Sequence, residues 1–248
     1  MESYKVKING IDVNASYSER AVKEIFLPLL QRLTRLQEEK KKRLVVFIAA
    51  PPGAGKSTLA SYLEKLSGDY EELCNIQAVG MDGFHRRQEY LTSHFVELDG
   101  RTIPMVNIKG APVTFDLEKL THAIESVCSQ EDTLWPSYDR HLHNPVEGTY
   151  KITEKIVLIE GNYLLLNEDG WRDLKKYADF CIKITAKEDF LRKRLIDRKI
   201  KSGNSEEKAK EFVDFSDMAN VRTCLDNSME ADMVLTLDDE GEYHLEST

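Results

Sequence analysis

Apolar and polar residues alternate in two short stretches near the start of the chain, at residues 4–8 and 11–15. Between them lies Asn9-Gly10, a dipeptide that favours a tight type I′ turn because both residues tolerate positive φ. Alternation with a period of two is typical of a strand that has one buried face. The pattern therefore predicts an N-terminal β-hairpin.

After this hairpin the spacing of the apolar residues becomes helical. Apolar side chains recur three or four positions apart over residues 22–36, which predicts an amphipathic helix that ends near Lys40. Ser16, followed by Glu19 three residues later, fits a capping box at the start of this helix. The first 43 residues are thus expected to form a hairpin and helix that precede the main core.

The core is predicted from short, continuous apolar runs. The first run, LVVFIAA at residues 44–50, is rich in β-branched residues and is typical of a parallel strand covered on both faces. Further strands are predicted at residues 77–81, 156–159, 181–184 and 232–237, and helices at residues 57–66 and 116–128. Strands that alternate with helices predict a doubly wound, mainly parallel α/β sheet.

No linker-like or low-complexity stretch interrupts the 248 residues. We therefore expect a single domain over residues 1–248, with residues 1–43 as an extension and residues 44–248 as the core. A chain of this length buries most of its apolar surface.

Composition narrows the classes of function. The net charge of −9 argues against a nucleic-acid partner, because binding to phosphate backbones needs a basic surface. No apolar run approaches the roughly 20 residues of a membrane helix, and the first ten residues carry charges with no apolar stretch after them. The four cysteines show no metal-binding spacing, so we expect reduced thiols in a cytoplasmic protein. The sequence leaves homodimerisation open.

A glycine-rich segment follows the first buried run. Residues 50–58 read APPGAGKST, which is the phosphate-loop pattern with Ala50 in place of the first glycine. Glycines allow successive N–H groups to point at phosphate oxygens, and the helix that follows presents its positive end. The two prolines have no N–H, so the cradle is expected from the residues after them. These residues are Gly53, Ala54, Gly55, Lys56, Ser57 and Thr58.

This loop predicts ATP and Mg²⁺ as cofactors. Lys56 is expected to reach the β and γ phosphates, and the Ser57 hydroxyl to bind Mg²⁺. The chain contains no N-K-x-D segment to recognise guanine, which favours ATP over GTP.

Asp82 directly follows the strand predicted at residues 77–81. It therefore lies at the carboxyl edge of the sheet, where ligands bind in open α/β folds. At this edge its carboxylate can accept the proton of an attacking hydroxyl. The alternative is that Asp82-Gly83 is only a turn.

Several further motifs together resemble the pantothenate kinase, uridine kinase and phosphoribulokinase group of P-loop kinases. The likeness is strongest to bacterial proteins described as fructose-transport or sugar kinases, and it extends over about residues 44–237. The motifs are MDGFH at 81–85, KGAPVTFD at 109–116, YDR at 138–140, EGNYLLL at 160–166 and RLIDR at 194–198.

The resemblance implies that Asp82 is the catalytic base and that Glu160 is the acid near Mg²⁺. It also implies that Arg194 and Arg198 belong to a lid and neutralise the transferring phosphoryl group. The two arginines are four residues apart on a helix that Thr185 and Glu188 could cap, so they share a face. Without the resemblance, solvated arginines would be the simpler interpretation.

The same motifs predict residues that bind the acceptor substrate through hydrogen bonds. They are His85, Arg86, Lys109, Tyr138, Arg140 and Asn162. We therefore expect an ATP-dependent kinase for a small metabolite, most simply a sugar or polyol. A nucleoside or pantothenate kinase is an alternative, with Phe84, Tyr90, Phe95 and Trp135 as an aromatic slot for a base. An ATP-binding regulatory switch is an alternative of another class.

Overall fold

The computed structural model of the chain describes residues 2–8, 10–98, 100–140 and 142–246. The strands are β1 (Glu2–Ile8), β2 (Ile11–Tyr17), β3 (Leu44–Ala49), β4 (Ile76–Gly80), β5 (Phe95–Leu98), β6 (Arg101–Pro104), β7 (Leu134–Asp139), β8 (Asn144–Lys151), β9 (Ile156–Gly161), β10 (Phe180–Ala186), β11 (Met233–Leu237) and β12 (Tyr243–Leu245).

The α-helices are α1 (Glu19–Ala21), α2 (Leu27–Lys40), α3 (Lys56–Gly68), α4 (Gln88–Ser93), α5 (Leu117–Cys128), α6 (Glu188–Lys201), α7 (Glu206–Phe212) and α8 (Met218–Asp226). Two π-helical segments, Val22–Phe26 and Val213–Asp217, join α1 to α2 and α7 to α8. Short 3₁₀ turns occupy Met81–Phe84, Met105–Ile108, Pro112–Thr114 and Trp171–Tyr177.

Six strands form the central sheet in the order β12-β11-β10-β3-β9-β4. Every pair is parallel except β11 with β12. Alternate residues of β3 enter two separate cores: Val46 packs with residues of α3 and α6, and Phe47 with residues of α5. The predicted fold, a mainly parallel sheet with helices on both faces, is confirmed.

The N-terminal hairpin is also present. β1 and β2 pair antiparallel, with Ile8 opposite Ile11, and Gly10 has a φ of 85°. Asn9, the other residue of the predicted turn, lies outside the described residues. The hairpin packs on α3, where the Tyr4 hydroxyl donates to the backbone oxygen of Ser61 at 3.1 Å.

Aromatic rings fill the space between the hairpin, α3 and the sheet edge. The rings of Tyr17 and Tyr62 lie 4.3 Å apart, and Phe26 packs edge-on against Tyr243 at 5.5 Å. All four side chains are buried. Because Tyr62 belongs to α3, the extension supports the helix that follows the phosphate loop.

Two predicted helix caps are wrong. Ser16 belongs to β2, and the helix begins after Ser18, whose hydroxyl accepts from the N–H of Ala21 at 3.1 Å. The hairpin extends to Tyr17, so the first free cap position is two residues later than expected. Thr185 likewise belongs to β10, where its hydroxyl lies 3.0 Å from that of Thr236, and α6 starts without a side-chain cap.

Within the part of the chain that the structure describes, no helix is long and apolar enough to cross a membrane. All four cysteines fall within that part, and none of them forms a disulfide.

Candidate functional site

The phosphate loop connects β3 to α3. Gly53 and Gly55 have φ of +86° and +85°, a conformation that residues with a side chain rarely adopt. Helix α6 covers the loop so closely that a Cβ at Gly53 would lie 3.1 Å from Cγ of Leu195. A Cβ at Gly55 would lie 3.2 Å from Nη2 of Arg194. The loop is thus preformed, with the first turn of α3 and Arg194 at its edge.

Lys56 and Glu160 meet at the base of this loop. Glu160 is opposite Ile48 in the β3–β9 ladder, which brings its carboxylate beside the start of α3. The ammonium of Lys56 lies 3.8 Å from Oε2 of Glu160, and both side chains are largely buried. Burial raises the pKa of the Glu160 carboxyl; Lys56 and a hydrogen bond from Ser57 oppose this effect.

These residues fit a magnesium ion. Oε2 of Glu160 has no hydrogen-bond partner among the described residues, and the Ser57 hydroxyl is in contact with the same carboxylate. Hard oxygen donors of this kind are the ligands that Mg²⁺ prefers. Ser57 and Glu160 are thus the residues that would hold such an ion.

Asp82 lies in the 3₁₀ turn after β4, next to Glu160, because Gly80 is the ladder partner of Glu160. Burial alone would raise the pKa of the Asp82 carboxyl. Lys56 opposes this effect of burial most strongly, and His85 comes next. Together with two nearby guanidinium groups, they hold the pKa of Asp82 below its ordinary value. The group is therefore an ionised carboxylate at neutral pH.

The two guanidinium groups that act on Asp82 belong to Arg140 and Arg198. Arg198 lies one turn after Arg194 on α6, on the same face, as predicted. Desolvation lowers the pKa of Arg198, and the positive charge of Arg140 lowers it further. Asp217 and Asp82 oppose this effect. Much of the Arg198 side chain is still exposed to solvent. Helix α6 thus directs one arginine to the phosphate loop and the other to Asp82.

His85 follows Asp82 by three residues and interacts with it electrostatically. Its ring stacks on Phe115 at 3.9 Å, and burial lowers its pKa to about 4, against the attraction of Asp82. It is therefore neutral at physiological pH. Its Nδ1 has no hydrogen-bond partner in the described part of the chain.

Tyr138 and Lys109 complete this side of the site. Burial and then Asp82 raise the pKa of the Tyr138 hydroxyl to about 12. Lys109 Nζ lies 5.3 Å from the centre of the Tyr138 ring and donates to Oε1 of Gln88 at 2.8 Å. Burial lowers the pKa of Lys109 to about 8.

Arg86 differs from the other predicted substrate residues. Its guanidinium pairs with Asp116 at 3.6 Å and covers the ring of Tyr90 at 4.7 Å. Both contacts border a cavity of about 230 Å³ that opens beside His85. Arg86 therefore belongs to the rim of the site, whereas the groups that act on Asp82 are Lys56, His85, Arg140 and Arg198.

Asn162 is the last of the predicted substrate residues. It follows β9, and its Oδ1 is buried without a hydrogen-bond partner among the described residues. Its backbone oxygen lies 3.4 Å from Sγ of Cys224 in α8. The strand edge and α8 therefore meet at Asn162.

Sequence reasoning missed two polar residues of this region, Asp217 and Asn220. Both are buried, with 8% and 5% of their surface exposed. Asn220 lies close to Gly110 of the KGAPVTFD motif: a Cβ added at Gly110 would be 3.4 Å from Nδ2 of Asn220. The only signal in the sequence was their spacing of three residues, which places them on one helix face but does not separate a buried face from a solvated one.

The comparisons with known proteins agree with this geometry. A model described as the Phosphoribulokinase / Uridine kinase family matches residues 45–237. The protein YggC of Escherichia coli (strain K12), described as uncharacterized, is 39% identical over 244 residues, which cover 98% of this chain and 99% of that protein. A Schizosaccharomyces pombe protein described as "putative uridine kinase C227.14" is 31% identical over 79% of this chain and 83% of its own length.

Among solved structures, one described as a "putative fructose transport system kinase" from Silicibacter sp. TM1040 superposes with a TM-score of 0.70. It is 30% identical to this chain, and the match covers 83% of this chain and 98% of that protein.

Proposed function

The chain belongs to the Phosphoribulokinase / Uridine kinase family and is therefore an ATP-dependent kinase, and we propose that it phosphorylates a hydroxyl group of a sugar or polyol. One observation carries the proposal. Asp82 is an ionised carboxylate beside the phosphate loop, held among Lys56, His85, Arg140 and Arg198. A carboxylate in this position suits the activation of a hydroxyl.

We infer that the phosphates of ATP bind to the backbone N–H groups of residues 53–58 and to the Lys56 ammonium. The positive φ of Gly53 and Gly55 and the N-terminus of α3 support this role. Ser57 and Glu160 would hold Mg²⁺, which when bound neutralises charge on the β and γ phosphates.

In the transfer step, Asp82 accepts the proton of the acceptor hydroxyl while its oxygen attacks the γ-phosphorus. The bond between this phosphorus and the β–γ bridging oxygen breaks, and ADP leaves. Arg194 and Arg198 neutralise the charge on the transferring group from the lid side. Lys56 does the same from the loop side.

His85, Lys109, Tyr138, Arg140 and Asn162 are the groups that we propose bind the acceptor, with Arg86 at the rim. The set mixes neutral and cationic hydrogen-bonding groups, which suits a compact ligand with several hydroxyls. The Silicibacter protein described as a fructose transport system kinase is in line with this assignment.

A nucleoside kinase would need an aromatic slot for the base. Phe84 and Trp135 are buried against each other at 4.9 Å, so neither ring face is free for a ligand. Tyr90 is stacked on His94 at 3.6 Å. These contacts favour a sugar over a nucleoside, although the S. pombe relative is described as a uridine kinase. A regulatory switch would have no use for a hydroxyl-activating base such as Asp82.

We also infer that the enzyme works in the cytoplasm, since its four cysteines, all within the described residues, are free thiols.

The test is ATP consumption by the purified protein with Mg²⁺ and a panel of sugars, polyols, pantothenate and ribonucleosides. We expect the highest kcat/KM for a sugar or polyol. If pantothenate or a nucleoside exceeds every sugar by more than about 10²-fold, the sugar assignment fails while the kinase assignment stands.

A further inference from the structure

Asp217 is a buried carboxylate, and one of its two oxygens lacks a hydrogen-bond partner among the described residues. Only 8% of the residue is exposed, and its Oδ2 has no hydrogen-bond partner among the described residues. Among the described residues no lysine or arginine pairs with it within 4 Å, although Arg198, Lys199 and Arg140 act on it electrostatically from farther away. A buried acceptor without a donor is costly, typically about 1–3 kcal/mol. A buried acceptor of this kind calls for an explanation, and a bound ligand that donates to it is one.

Its position points towards the acceptor site. Asp217 ends the π segment before α8, and Asn220 follows on the same face. Asn220 packs against Gly110, whose backbone oxygen accepts from the Tyr163 hydroxyl at 2.6 Å. This part of the chain therefore borders the loop at Lys109 and Gly110 and the end of β9, where Asn162 lies.

Two arginines connect Asp217 to the catalytic centre. Arg140 and Arg198 each act electrostatically on Asp82 and on Asp217. The two carboxylates thus share the same pair of cations. Burial raises the pKa of Asp217, and Arg198 followed by Lys199 and Arg140 opposes this effect.

A second acceptor atom without a partner belongs to Asn162, whose backbone contacts α8. Oδ1 of Asn162 is buried and lacks a donor in the described part of the chain. The backbone oxygen of Asn162 contacts Cys224 of α8, the helix that Asp217 precedes. A ligand that supplies hydrogen-bond donors would satisfy both acceptor oxygens.

We propose that Asp217, together with Asn162, accepts hydrogen bonds from hydroxyl groups of the acceptor substrate that are not themselves phosphorylated. This inference rests on the proposed function and sharpens it: Asp217 selects a polyhydroxylated substrate. A carboxylate-bearing acceptor is disfavoured there, because it would bring a second negative charge towards Asp217 without a donor.

The experiment compares Asp217→Asn with a matched control, Asp214→Asn. Asp214 lies in the same π segment but forms an exposed ion pair with Arg192, with Nε to Oδ1 at 2.6 Å. Steady-state kinetics would use the panel compound with the highest kcat/KM and each of its monodeoxy analogues. Melting temperatures verify that both variants fold.

We expect Asp217→Asn to raise the KM for the acceptor at least about tenfold and to leave the KM for ATP within about twofold. One deoxy position should lose at least about tenfold in kcat/KM with the wild type and no more than about threefold with Asp217→Asn, because the charge-assisted hydrogen bond to that hydroxyl is already absent. Asp214→Asn should behave like the wild type. If Asp217→Asn leaves the acceptor KM and the deoxy profile unchanged, or shifts the KM for ATP equally, the inference is wrong.

Failure of the proposed function gives a different result. If no panel compound is phosphorylated, calorimetric binding of the same sugars and polyols in the presence of a non-hydrolysable ATP analogue still tests Asp217. Binding to the wild type and to Asp214→Asn, with a loss in Asp217→Asn, would support the inference. Equal binding to all three proteins, or no binding of any polyol to the wild type, would overturn it.

Discussion

The ammonium of Lys56 lies 3.8 Å from Oε2 of Glu160, across the junction between the phosphate loop and the neighbouring strand. At this distance the two charges attract each other but form no close hydrogen bond. Lys56 is therefore held near the loop and remains able to turn towards a phosphate oxygen.

We predict that Lys56→Ala abolishes phosphoryl transfer, with kcat lowered by at least about 10³-fold, and leaves the fold intact. The reason is that the β and γ phosphates lose the cation that neutralises them. Turnover with the best acceptor and circular dichroism provide the two measurements. The control is Lys65→Ala on the same helix, where Lys65 pairs with Asp69 at a half-exposed position. Unchanged turnover of Lys56→Ala would remove the basis of the proposed function.

For Asp82 we expect the Asn variant to bind ATP and Mg²⁺ normally but to lose roughly 10² to 10⁴ in kcat, the usual contribution of a general base. An amide cannot accept the hydroxyl proton. Nucleotide affinity by calorimetry and kcat by coupled assay separate the two effects. Asp132→Asn, at an exposed residue 3.2 Å from Lys151, is the control. A near-normal kcat would reduce Asp82 to a turn residue.

The pKa of Lys109, lowered by burial to about 8, predicts a pH dependence of substrate binding. Below pH 8 the side chain is charged and donates to the acceptor; above pH 8 the charge is lost and the acceptor KM should rise. Over the same range His85 stays neutral and Asp82 stays ionised, because their pKa values lie lower.

The comparison for this prediction is Lys109→Arg, because a guanidinium stays charged at every accessible pH. Its acceptor KM should be nearly constant between pH 7 and about 9.5, whatever its absolute value. Identical pH profiles for the two proteins would show that Lys109 does not bind the acceptor as a cation.

Trp135 stabilises the chain segment that carries Asp82. Its indole Nε1 donates to the backbone oxygen of Gly80 at 2.9 Å, and its ring is fully buried against Phe84. We predict that Trp135→Phe lowers the free energy of unfolding by about 2–4 kcal/mol, because it leaves a cavity and an unpaired carbonyl.

Chemical denaturation measures this change. Tyr150 is opposite Trp135 in the β7–β8 ladder but is half exposed, so Tyr150→Phe should cost less than about 0.5 kcal/mol. If Trp135→Phe and Tyr150→Phe lowered the free energy of unfolding equally, the assigned role of the indole would be wrong.

The sequence predicted the sheet and the phosphate loop well because their signals are local. Residues 44–50 form an unbroken apolar run, and Gly53 and Gly55 occupy positions where a positive φ is required. The cap at Ser16 failed because the length of the hairpin depends on pairing across strands. A choice between two serines two residues apart is not visible locally.

Asp217 was beyond sequence reasoning for a different reason. An acidic residue on a helix normally faces solvent, and the tertiary packing that leaves only 8% of Asp217 exposed cannot be read from its neighbours in the sequence. The position of Arg86 could not be predicted from the sequence either, because its ion pair with Asp116 connects residues that are far apart along the chain.

The hairpin and helix at the start of the chain lie outside residues 45–237, the part common to the family. Their aromatic side chains nevertheless cover Tyr62 on the outer face of α3. A chain reduced to residues 45–237 would expose this face of α3, the helix that follows the phosphate loop. The exposed apolar surface would promote aggregation. A stable chain without the extension would therefore need polar replacements at Tyr62 and around it on α3.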